Sequence, residues 1–91
     1  MKYRYIAQPK FWKNYRKLSA NQRKSVQEAW RLFKLDPFDP RLRTHRINSL
    51  SAIFKHTVNA VVIEGDLRAV FYIEGDAIVT VNLGSHDIYK V

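Results

Sequence analysis

Polar and apolar residues alternate at the start of the chain, where Lys2, Tyr3, Arg4 and Tyr5 change character at every step. A period of two marks a half-buried strand, and it predicts one over residues 2–8 that ends at Pro9. Beyond it Phe11, Trp12, Tyr15 and Leu18 recur every three to four residues. This spacing predicts a helix over 9–18 with the proline at its first position, where a missing N–H is harmless. Ser19-Ala20-Asn21-Gln22 has the form of a capping box, in which the serine hydroxyl and the glutamine side chain satisfy each other's free backbone donors. A second helix is expected from Ala20, with Val26, Ala29, Trp30 and Phe33 as its apolar stripe and Arg23, Gln27, Arg31 and Lys34 on other faces. Asp36-Pro37-Phe38-Asp39-Pro40 stops it, because each proline disfavours helix at the residue before it.

From Thr57 the texture changes to β-branched and aromatic runs over 57–64, 67–73 and 77–83. The separators are the same tetrapeptide, Ile63-Glu64-Gly65-Asp66 and Ile73-Glu74-Gly75-Asp76, whose Gly-Asp pairs suit tight antiparallel reversals. Two successive hairpins make a meander. Residues 41–56 are a connector without a clear period. The expected fold is α+β in a single domain over 1–91: an N-terminal strand, a helical hairpin and a three-stranded antiparallel meander, with the helices on one face of the sheet and the other face open.

Composition narrows the function. A chain of 91 residues buries one core. Cysteine is absent, so no disulfide or thiolate metal site is expected. The opening residues lack the apolar run of a signal peptide and no stretch reaches spanning length, which predicts a cytoplasmic protein with no membrane partner. The net charge of +8 is uneven: residues 1–46 hold thirteen Lys/Arg against three acids, and residues 47–91 hold three against five. A half-chain at +10 concentrates polyanions and gains from counterion release, so nucleic acid, or an acidic protein that competes with it, is the expected partner.

Arg68 is the discordant residue of the second half, lying within Leu67-Arg68-Ala69-Val70-Phe71-Tyr72-Ile73. Its guanidinium must reach water, a carboxylate such as Asp66 or Glu64, or a phosphate. His86 and Tyr89 stand close together in Gly84-Ser85-His86-Asp87-Ile88-Tyr89, just past the last strand. A metal-free ribonuclease needs a base, a cation for the phosphorane and an acid, and these three side chains are of those types. An idle, exposed histidine is the plainer reading of His86. His45 lies in the basic run Arg41-Leu42-Arg43-Thr44-His45-Arg46, where Arg41, Arg43 and Arg46 are candidates for phosphate contacts, as is Lys55 beyond it. It is either a second acid/base or a loop residue, and His56 is assigned a structural role. The three histidines are far apart and the acids scattered, so no metal is expected. No Gly-rich phosphate loop or Gly-flanked serine is present, and no small-molecule cofactor is implied.

In order and spacing, several pieces resemble the RelE/ParE toxin superfamily. They are Pro9-Lys10-Phe11 with Tyr15 and Leu18, Leu32-Phe33 running into Asp36-Pro37, Leu42 with His45, Asp66-Leu67-Arg68-Ala69-Val70-Phe71, and Gly84-Ser85-His86-Asp87-Ile88-Tyr89. The resemblance implies two helices on an antiparallel sheet, and a type II toxin of the RelE/YafQ kind that cuts messenger RNA at the ribosome without a metal, inhibits translation and is restrained by a cognate antitoxin. Carried over by position, Arg68 resembles the strand arginine for the scissile phosphate, His86 the C-terminal histidine, Tyr89 the terminal aromatic, His45 the connector histidine and Asp66 the turn aspartate. Val62 departs from the pattern, since that position often bears a histidine or a basic residue in the family, and it leaves His56 or Lys55 as a substitute. ParE relatives share the fold and inhibit DNA gyrase instead, so a non-nuclease toxin, or a catalytically weak basic RNA-binding module, is the alternative.

Overall fold

A computed structural model describes residues 3–89. The strand expected over 2–8 forms as β1 (Arg4–Ala7), and Lys2, at its expected start, lies outside the described residues. Helix α1 (Pro9–Arg16) begins on its proline, and α2 (Ala20–Leu35) begins on the capping box. Gln22 N–H donates to Ser19 Oγ at 3.1 Å, and Ser19 N–H donates to Gln22 Oε1 at 3.0 Å. At the other end of α2 the Tyr5 hydroxyl lies 3.2 Å and 3.1 Å from the carbonyls of Phe33 and Lys34. It supplies a donor where a helix has run out of its own.

The three predicted strands are β3 (Val58–Glu64), β4 (Leu67–Glu74) and β5 (Ala77–Gly84). Both reversals turn on the expected glycines, at φ 49° for Gly65 and 61° for Gly75, a region closed to most side chains. A two-residue strand, β2 (His45–Arg46), adds to the far edge. The sheet runs β1-β5-β4-β3-β2, with β1 parallel to β5 and every other pair antiparallel.

Alternation along the strands builds two apolar faces. On the first, Leu67, Ala69 and Phe71 of β4 and Ile78 of β5 meet Phe11, Val26, Ala29 and Phe33 from the helical hairpin. Phe33 meets Phe71 edge-on with ring centroids 4.9 Å apart, a preferred aromatic geometry. The hairpin covers this face as expected.

The second face is not bare. Within the connector lies a helix the period did not reveal, α3 (Asn48–Phe54), and its Leu50, with the preceding Ile47, packs on Val58, Ala60, Val70 and Val81. Ile47, Leu50 and Phe54 fall at helical spacing, yet the segment spans seven residues, has no side-chain cap on Ile47, and ends on Lys55 in the left-handed region rather than on glycine. A 3-10 turn over His86–Tyr89 follows β5 and adds Ile88 and Tyr89 to the same face. On this face the Arg68 side chain stays partly exposed.

Candidate active site

The hairpin between β3 and β4 places Asp66 in the turn and Arg68 two residues into the strand, so alternation sends both toward the second face. Across the ladder Arg68 faces Val62 on one side and Gly84 on the other. Gly84 ends β5, and the chain folds over into the 3-10 turn, which returns His86 and Tyr89 toward the same spot.

His86 Nδ1 lies 3.0 Å from Asp66 Oδ1 and 3.3 Å from Oδ2. An ionised carboxylate only accepts, so the ring proton sits on Nδ1 and leaves Nε2 as the atom that gains or loses a proton. The hydrogen bond from His86 is also the main reason that the Asp66 carboxyl lies below its ordinary value, with the charge of Arg68 adding to it. Arg68 Nε stands 3.7 Å from Asp66 Oδ1. Its Nη1 donates to the Tyr89 hydroxyl at 3.3 Å, and its guanidinium carbon lies 6.0 Å from the centre of the Tyr89 ring. The Tyr89 hydrogen bond is the leading cause that raises Arg68 above its usual value, so the cation is held firmly in its charged form.

Among the described residues Arg68 Nε is buried without a hydrogen-bond partner, while the side chain as a whole keeps 24% of its surface exposed. The guanidinium is therefore anchored along one edge and open elsewhere. His86, with 61% of its side chain exposed, stands at the rim. A groove of about 430 Å³ opens on the other side of Asp66, toward the helical hairpin, lined by Leu18, Gln22, Asp66 and Leu67 but not by Arg68 or His86. Such a group can bind an oxyanion at Arg68 and exchange a proton at His86.

Four of the five candidate catalytic residues, Arg68, Asp66, His86 and Tyr89, thus meet. His45 stands apart. It pairs with Ala60, and Ala60 with Val70, so it shares the face of Arg68 from two strands and two residues away, about 12 Å by ladder geometry. Its Nδ1 is taken up by the Arg43 carbonyl at 2.9 Å. Arg41 is tied to Asp39 at 2.8 Å, and the hydrogen bonds from Arg41 hold that carboxyl down at about 2. Arg43 caps the 3-10 turn Pro40–Leu42 in the left-handed region.

His56 and Lys55 do not substitute for Val62. His56 lies flat on Tyr72, ring centroids 4.5 Å apart, with Nε2 3.4 Å from Glu74 Oε2. Tyr72 is four residues along β4 from Arg68, toward the opposite end of the strand. The residue that sequence reasoning passed over is Gly84. A Cβ there would come within 2.8 Å of Ile88 Cγ2, so the bare backbone is what lets the 3-10 turn lie against the sheet.

Among the described residues, no group of three or more His, Asp or Glu is arranged to hold a metal ion, and no helix is long and apolar enough to cross a membrane. No protein-family profile and no curated protein matches the sequence. Solved structures do match in shape. Archaeal RelE, in a RelE–RelB complex from Pyrococcus horikoshii OT3, superposes with a TM-score of 0.72 at 15% identity, over 93% of this chain and 96% of that one. YoeB, in a dimer from Staphylococcus aureus, gives 0.67 at 16% identity over 94% and 99%. The conserved hypothetical protein HP0894 from Helicobacter pylori gives 0.66 at 22% identity over 93% and 96%. The strand, helical hairpin and meander expected from the residue pattern are those of the RelE fold, and this chain adopts it.

Proposed function

We propose that this chain is the toxin of a type II toxin–antitoxin pair, a metal-independent endoribonuclease that cuts messenger RNA at the ribosome and is restrained by a cognate antitoxin. One observation carries the reading: Arg68, Asp66, His86 and Tyr89, spread over 24 positions of sequence, close into one group on the second sheet face. The fold supports it, since archaeal RelE with this fold was crystallised in complex with RelB. The strongly basic first half supplies long-range attraction for RNA.

In the reaction, the 2′-hydroxyl attacks the adjacent phosphorus and the bond to the 5′-oxygen breaks, leaving a 2′,3′-cyclic phosphate and a 5′-hydroxyl. One proton leaves the 2′-oxygen and one reaches the 5′-oxygen. His86 Nε2 carries one of these transfers, with Asp66 holding the ring in its Nδ1-protonated form. Arg68 stabilises the charge that builds on the phosphorane oxygens. Tyr89 accepts from Arg68 and so keeps its own hydroxyl hydrogen free for the second transfer.

The test is cleavage of messenger RNA on programmed ribosomes, with growth arrest on induction as the cellular readout. Arg68→Ala and His86→Ala are each expected to lower cleavage about 10²-fold or more and to relieve arrest, with circular dichroism unchanged. Undiminished arrest in both variants removes the assigned chemistry. The alternative, a ParE-like toxin that inhibits DNA gyrase, is favoured by Val62, which places a side chain with no proton to transfer directly across from Arg68. Pulse labelling separates the two: protein synthesis stops first for the nuclease, DNA synthesis first for the gyrase inhibitor.

A further inference from the structure

We infer that the cavity between β2, α3 and the start of β3 is a second anion site, which holds a backbone phosphate of the bound RNA away from the point of cleavage. The cavity measures about 350 Å³, and its lining includes Arg46, Asn48, Lys55, His56 and Thr57 and no carboxylate. Four of these carry donors, a guanidinium, an ammonium, an amide and a hydroxyl, while His56 turns its Nε2 to Glu74.

The charge here is unmatched. Arg4, Arg41 and Arg68 each have an aspartate within 4 Å, namely Asp76, Asp39 and Asp66. Among the described residues neither Arg46 nor Lys55 has an ion-pair partner, as is also true of Arg16, Arg23, Arg31 and Arg43; these two share the lining of one cavity that holds no carboxylate. Two cations facing one cavity with no counter-ion create a local field that an oxyanion relieves. The backbone also commits Lys55 to this place. It is the C-cap of α3 at φ 56° and ψ 30°, where glycine is the usual residue because a side chain is strained there. His56 is fixed from behind by its stacking on Tyr72 and by Glu74 at Nε2. Glu74 meets the ring from outside the lining, so it orients the imidazole without filling the cavity.

A phosphodiester fits this donor set, and its position selects a nucleic-acid strand as the source. Tyr72, on which His56 rests, lies four residues from Arg68 along β4, about 14 Å at the rise of an antiparallel strand. A single RNA strand of a few nucleotides covers that distance. One RNA strand thus reaches both Arg68 and the cavity. The inference rests on the RNA-cutting reading for the identity of the strand, whereas the cavity's affinity for phosphate does not depend on it.

The experiment follows ¹H–¹⁵N spectra of the full chain carrying Arg68→Ala, which leaves the cavity intact, during titration with inorganic phosphate and with a 2′-O-methyl RNA dodecamer. Saturable shifts at Asn48, His56 and Thr57 are expected with both probes. Adding Arg46→Ala and Lys55→Gln together should remove those shifts, weaken the RNA about tenfold and make the salt dependence shallower by about 0.7 log unit per decade for each phosphate no longer held. RNA that binds without moving these three residues overturns the inference. Phosphate shifts with no RNA binding overturn it as well, and reassign the cavity to a small phosphorylated ligand. RNA bound in the cavity that the unaltered protein never cuts retains this site and removes the nuclease; RNA cut with the cavity silent does the reverse.

Discussion

Asp66 is a turn residue turned into an instrument. Gly65 supplies the turn's positive φ, which leaves the aspartate next to it free to serve Arg68 on its own strand and His86 on another segment. Its carboxyl is depressed, so its attraction to these partners is present in full above the unfolded value of about 3.9 and is lost as the pH falls through the lower folded value. The pair is therefore intact across the physiological range. Asp66→Asn keeps an acceptor for His86 but deletes the charge. It is expected to slow cleavage by about 10²-fold, by analogy with other carboxylate-oriented imidazoles, while the melting temperature moves by less than about 3 °C because the site is exposed. Imidazole ¹⁵N shifts distinguish positioning from a structural role: a single Nδ1-protonated tautomer in the unaltered protein, and a mixture in the variant. An unchanged tautomer with unchanged rate would show that Asp66 does nothing for His86.

Elements whose signals are local were legible in the residue order, and those that depend on a neighbour were not. The capping box that starts α2 is written within four residues and forms as written. The two Gly-Asp reversals are equally self-contained. By contrast α3 has an apolar stripe of three residues and no cap, and it stands because the sheet beneath it supplies Val58, Ala60, Val70 and Val81. The C-terminal 3-10 turn is similar, since four residues of this kind have little stability unless docked. Its docking depends on Gly84. Gly84→Ala drives a methyl against Ile88 Cγ2, which belongs to a stiff β-branched side chain, so the turn must lift. The expected result is a destabilisation of about 1–3 kcal/mol measured by urea unfolding, with cleavage reduced much further because His86 and Tyr89 leave Arg68 together. A variant as active and as stable as the parent would contradict this packing.

At the scale of the molecule, the helical hairpin and the sheet are held by one aromatic seam. Phe71 from β4 meets Phe33 from α2 and Phe38 from the loop after it, and only 1% of its surface is exposed. Truncating such a residue costs about 3–5 kcal/mol, against a total stability of about 5–14 kcal/mol for a chain of this length. Phe71→Ala is accordingly expected to lower the urea midpoint by at least about a fifth. A midpoint close to that of the parent would show that the seam is not where the two layers are joined. The charge asymmetry belongs to this scale too: the cations of the first half act together on any polyanion as a field rather than through single contacts.

The fold class could be read from the chain because periods of two and of three to four, a capping box and paired turn glycines are properties of consecutive residues. Arg68 could be singled out for the same reason, as a charge among β-branched neighbours. Its partnership with His86 and Tyr89, expected from residue type and resemblance, is decided by strand register: Arg68 falls opposite Gly84, and the chain after Gly84 turns back over Asp66. The separation of His45 from that group follows from register in the same way, and α3 brings Lys55 to the cavity that Arg46 lines. Local order marks which residues are out of place, and long-range pairing settles whom they meet, since contact across a sheet is set by hydrogen-bonded alignment rather than by distance along the chain.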